Sequence, residues 1–212
     1  MAEFRIPPPH TPIPPSSHQL ESSEQHKKNV RQEEFDLLRI KIDQFIIMAS
    51  NDPQVFENVF IQISNLNELM HSNILNVDQE NIIILEMRKL DSELNNGSSK
   101  VRNLYDRISL FNSYLEENFP KIKAFNIVQS LKNNLCSSPV DDLPPMDFEE
   151  FRNFEKDILS FIRKDIEIFR VNNLFNILKT VNENFLYHPR RNYSDTVNQL
   201  KQVTENIKNG II

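Results

Sequence analysis

Two glycines in 212 residues, beside twelve prolines, restrict what this chain can fold into more than any other feature. Tight hairpins and phosphate-cradling loops need residues at positive φ, which glycine adopts without a steric penalty. With only Gly97 and Gly210 available, β-rich folds and glycine-loop nucleotide sites lack their material. Helices joined by proline- and asparagine-containing links remain.

The apolar spacing agrees. Phe35, Leu38, Ile42, Phe45 and Ala49 recur at three and four residues, and Phe56, Val59, Ile63, Leu66 and Met70 repeat the pattern after Asn51-Asp52-Pro53, a capping pair followed by a proline suited to a first helical position. The short link makes these two helices antiparallel neighbours. A third start is expected at Asp78, with Glu80 near the positive end of the helix dipole. Ile83, Met87, Leu90 and Leu94 form its seam, and Val101, Leu104, Ile108, Phe111 and Leu115 continue in the same heptad phase beyond Gly97. Asp91 and Glu93 near one presumptive helix end, and Lys100 and Arg102 near the next start, would oppose the dipole of two separate helices. A single helix over 78–118 is therefore expected.

Pro120 ends that helix, because Phe119 before it is pushed out of the α region. A shorter helix follows over 120–135, and CSSPVDDLPPM reads as a linker over 137–146. Asp147 as cap, Glu150 as its capping-box partner and Met146 stapled to Phe151 open a second long helix, 148–187. Its apolar positions do not share one face: Ile158, Phe161, Ile166, Ile168, Val171 and Leu178 place it at the centre, touched from two sides. A last helix, 194–209, ends at Gly210. The expected fold class is thus all-α, an elongated helical bundle or coiled coil with two long helices (78–118 and 148–187) and shorter ones at 32–49, 53–75, 120–135 and 194–209. Residues 1–30, rich in proline and serine, read as a disordered arm with too few apolar groups to offset ordering entropy. The folded part divides into 31–136 and 147–212, with no internal repeat of fixed length.

Chemistry-bearing constellations are scarce. The five histidines, His10, His18, His26, His71 and His188, form no H-x-x-x-H pair, and the single Cys136 lacks a nearby histidine, so neither a metal centre, a cofactor site nor an activated nucleophile is expected. Glu33-Glu34, Glu116-Glu117 and Glu149-Glu150 are adjacent in sequence and diverge by about 100° on a helix, so they do not converge as acid and base. A net charge of −6 argues against tracking a phosphate backbone. Without an apolar run of about eighteen residues or a leader-like start, a soluble intracellular protein, nuclear or cytoplasmic, is expected. The leading expectation is a non-enzymatic α-helical scaffold subunit of a larger multiprotein complex, of kinetochore, transcription-coactivator, tethering or cytoskeletal type. It would join protein partners, as a hetero-oligomer, through coiled-coil seams at Leu94, Val101, Leu104 and Ile108. The alternative is a self-contained helical adaptor that holds a peptide or phosphorylated ligand near Tyr187, Arg190 and Arg191.

Overall fold

The computed structural model describes residues 17–49, 53–96, 101–136, 145–187 and 189–212, where eight helices and no strand are found. They are α1 (Ser17–Ala49), α2 (Pro53–His71), α3 (Val77–Asn95), α4 (Val101–Asn118), α5 (Pro120–Cys136), α6 (Phe148–Arg163), α7 (Ile168–Tyr187) and α8 (Pro189–Lys208). The all-α expectation holds. Proline opens α2, α5 and α8, where its missing N–H would have had no intrahelical partner. At the other end of α8, Gly210 sits at φ +70° while its amide bonds Ile207 O and the Ile211 amide bonds Asn206 O, the paired closure of a Schellman cap. Asn73, at φ 59°, fills the same left-handed role after α2.

Neither long helix is continuous. At its C-terminus, α3 closes at Asn96, whose φ −83° and ψ 1° leave the helical path. Arg107 of α4 then reaches back to Glu86 at 2.9 Å and also pairs with Glu93. Along one straight helix those carboxylates would lie about 31 Å and 21 Å away, so α3 and α4 are an antiparallel pair. Of the two acidic residues that argued for continuity, Glu93 is answered across this hairpin by Arg107, and Asp91 lies 4.0 Å from Lys41 of α1. Gly97 itself lies outside the described residues.

The second break falls at Lys164, whose ψ of 156° is extended, with neither glycine nor proline to announce it. The buried seam Phe151, Phe154, Ile158, Phe161 would next reach Asp165, Ile168 and Asn172. The buried residues are instead Val171, Leu174, Leu178, Val181 and Phe185. A continuing helix would bury the Asp165 carboxylate, which is costly without a partner. The many-faced apolar pattern was two seams out of phase.

Two starts also differ from expectation. The N-cap of α3 is Asn76, in a reciprocal box with Gln79, two residues ahead of Asp78. Residues 17–30, expected within the arm, belong to α1, and Lys28, with Arg31 just beyond, holds a buried carboxylate. For α6, Asp147 caps as expected and Met146 and Phe151 are both buried as a staple requires. Its carboxylate takes the amide of Glu149 at 2.7 Å, however, and Glu150 stays exposed.

Contact pairs give the topology. Between α1 and α3 the bonded residues keep a near-constant offset, Arg31 with Glu80 and Lys41 with Asp91, so these neighbours are parallel. Between α1 and α2, Gln32 meets Met70 O and Asp36 meets His71. Because α2 begins at Pro53, just after α1 ends at Ala49, and its last residues lie beside the middle of α1, the two are antiparallel, and α2 packs on α4. The same scheme recurs in α5–α8. Helices α5 and α7 are parallel, joined by Lys123 over the Phe175 ring and by Asn134 on Asn182, whereas α6 runs antiparallel to α5 through Gln129 and Glu155. Helix α8 packs on α6 and α7. Each unit is thus a bundle of four helices in which the parallel pairs, α1/α3 and α2/α4, then α5/α7 and α6/α8, are adjacent neighbours. Helix α5 packs with the second unit, and Met146 N–H bonds Leu135 O; residues 137–144 of the expected linker lie outside the described residues. One continuous apolar core joins the two bundles through α5 against α2 and α4.

Candidate functional site

The seam residues expected to meet a partner are used internally. Leu94, Leu104 and Ile108 are buried in the chain's own core, and the Val101 side chain lies outside the described residues. Their heptad phase is therefore satisfied by α3, α4 and the helices beneath them. Tyr187 is exposed at the end of α7, and Arg190 and Arg191 lie in the first turn of α8, with side chains outside the described set.

Helix α1 presents a face that the sequence reading passed over. Its inner stripe, Phe35, Leu38, Ile42 and Ile46, is buried. On the far side of the helix, Leu37, Ile40, Ile47 and Met48 remain 62, 45, 59 and 82 % exposed. At 100° per residue these positions sit about 120–220° from Phe35, so the helix is apolar on two opposite faces. The order His26, Val30, Glu33, Leu37, Ile40, Gln44, Ile47 steps by four and three throughout, a heptad seam. Neighbouring helices cannot cover it. Helix α2 meets α1 at Gln32 and Asp36, and α3 meets it on the other flank at Glu34 and Lys41, through Arg88 at 2.5 Å and Asp91 at 4.0 Å. The signal was available in sequence, since Leu37, Ile40, Ile47 and Met48 do not fit the inner seam.

Elsewhere the polar groups serve packing. Glu80, 1 % exposed, accepts from Arg31 Nε at 2.6 Å and lies 3.7 Å from Lys28 Nζ. This charge-assisted contact fastens α1 to α3. A cleft of about 330 Å³ between α2, α4 and α5 is lined mostly by amides such as Asn65, Asn112, Asn126 and Asn133. Two of them are already engaged, Asn112 with Gln62 and Asn126 with Glu116. It contains no cation to hold an anion and no aromatic ring to stack a base or sugar. Cys136 is buried, and burial pushes its thiol up, away from the reactive thiolate. Burial also raises the Tyr193 phenol, with Glu150 adding to it. Among the described residues no group of three or more histidine, cysteine or acidic side chains is placed to hold a metal, and no helix is long and apolar enough to cross a membrane.

Comparison with protein-family models, with curated proteins and with solved structures finds no match to this chain.

Proposed function

We propose that the chain is a non-enzymatic α-helical scaffold subunit of a larger multiprotein complex, in which the outer face of α1 packs along a helix of another polypeptide. The observation that carries this reading is the second apolar stripe of α1, exposed while the first is buried. Covering a Leu or Ile side chain fully is worth about 1.5–3 kcal/mol, so each half-exposed member offers roughly 1 kcal/mol to a partner. Contiguous apolar surface of this kind, rimmed by charge, is how soluble chains present an interface. Helix-in-groove association then follows the spacing of Leu37, Ile40, Gln44 and Ile47. The seam first expected at Leu94, Leu104 and Ile108 builds the subunit, and the α1 stripe joins it to others.

A photo-crosslinking amino acid at Ile40, introduced in cells that make the protein, tests the reading. The expected result is a defined crosslink to a helical segment of another polypeptide chain. Crosslinking no stronger than from Ser160, an exposed polar position on α6, would overturn it.

A further inference from the structure

We infer that the helix seated on the outer face of α1 is α1 of a second copy, parallel and in register, so that the subunit is a homodimer. This inference rests on the reading of that face as an interface and adds the identity of the occupant. Written as heptads, the seam places Leu37 and Gln44 at a, Ile40 and Ile47 at d, Asp36 and Asp43 at g, and Glu34, Lys41 and Met48 at e.

Those assignments are self-complementary in one orientation. In a parallel pair each g residue meets the e′ residue of the following heptad, so Asp36 faces Lys41 of the other copy, twice by symmetry. Asp43 then faces Met48, and no like charges meet between these g and e positions. Gln44 faces itself, and an amide is its own hydrogen-bonding complement, holding both a donor and an acceptor. A polar residue at a single a position also fixes register. The antiparallel arrangement sets g against g′, which opposes aspartates, and lays Gln44 against Ile40. Glu33, at d, would face its own copy, so the packed stretch begins at Leu37. Helices α2 and α3 pack against α1 on either side of this seam.

The groups that charge pairing uses are accessible. Lys41 is 61 % exposed and only 4.0 Å from Asp91, while Asp36, 37 % exposed, has Arg39 at 3.9 Å and His71 at 3.4 Å as its present neighbours. Both can turn outward without unpairing a buried charge.

Sedimentation equilibrium of the full chain over about 1–100 μM should return twice the chain mass. Ile40→Glu with Ile47→Glu should weaken association roughly 100-fold or more, since two charges replace buried side chains. Circular dichroism and the melting transition at low concentration should be unchanged by this pair, because both positions are exposed in the single chain. Asp36→Lys and Lys41→Asp should each weaken the dimer about tenfold, and the two together should restore it. In a Cys136→Ser background, Gln44→Cys should form an intermolecular disulfide under mild oxidation, as only parallel in-register seams bring it to its own copy. A monomer at 100 μM overturns the inference, as does a dimer indifferent to the Ile40 and Ile47 changes. A sensitive dimer without the Gln44→Cys crosslink, or without charge-swap recovery, overturns the parallel register. A monomer that still crosslinks from Ile40 to a different polypeptide in cells defeats the homodimer alone and leaves the scaffold reading standing.

Discussion

Arg31→Ala tests whether α1 is anchored at the edge of the stretch where the sequence placed a disordered arm. The guanidinium donates to Glu80 at 2.6 Å, and the Glu80 side chain is 2 % exposed. A hydrogen bond to a charged group contributes about 1.5–3 kcal/mol, and stranding a buried charge adds to that loss. Two features reduce it: Lys28 remains 3.7 Å away, and Arg31, 16 % exposed, leaves a gap that water can enter. The net expectation is a loss of about 2 kcal/mol, or a fall in melting temperature of roughly 4–8 °C for a chain of this size. Urea denaturation of the two proteins measures it as a lowered midpoint at unchanged slope. Glu80→Leu supplies the control, since in that background Arg31→Ala should cost less than half as much. A loss below about 0.5 kcal/mol, or equal losses in both backgrounds, would refute the anchoring role of α1 between residues 28 and 31.

The two faces of α1 predict opposite sensitivities: Ile42→Ala, fully buried, should cost about 3 kcal/mol, and Ile47→Ala, 59 % exposed, well under 1 kcal/mol in denaturation of the monomer. Asp147→Ala should cost about 1 kcal/mol through the lost cap, while Glu150→Ala should be within about 0.5 kcal/mol of neutral, which a pair of denaturation curves decides. Gly210→Ala meets no atom within 4 Å, so its expected loss of about 1 kcal/mol is conformational alone; the same midpoint measurement checks it. Burial raises the Asp43 carboxyl above its ordinary 3.8, although Arg39 pulls the other way. The folded chain then holds that proton more tightly than the unfolded one, so its ionisation subtracts stability as pH rises through the raised value. Asp43→Asn should therefore stabilise at pH 7 and lose that advantage below about pH 3.8, as denaturation at the two pH values will show.

Local signals set the helices themselves. Three- and four-residue apolar spacing, Pro53 and Pro120 at first positions, the Met146-Asp147-Phe151 start and Gly210 at the end each act within one or two turns, so the residues that decide them are adjacent in sequence. The same locality explains the errors. Heptad phase carried from Leu94 to Val101 is as compatible with a hairpin as with a straight helix, and the hairpin shows only in contacts distant in sequence, Arg107 reaching Glu86 and Glu93, 21 and 14 positions away. The break at Lys164 has no turn residue of its own; it follows from two seams, on α6 and α7, that must face different neighbours in one core. Asparagine at 76 rather than aspartate at 78 became the cap because Gln79 completes its box. The candidate interface divides likewise. That α1 has apolar groups on opposite sides is written in the spacing of Phe35 and Leu37. Which side stays in water was decided by tertiary packing, because α2 and α3 can flank only one of two opposite faces of the same helix, and the core they close buried Leu94, Leu104 and Ile108 and left Leu37, Ile40, Ile47 and Met48 uncovered.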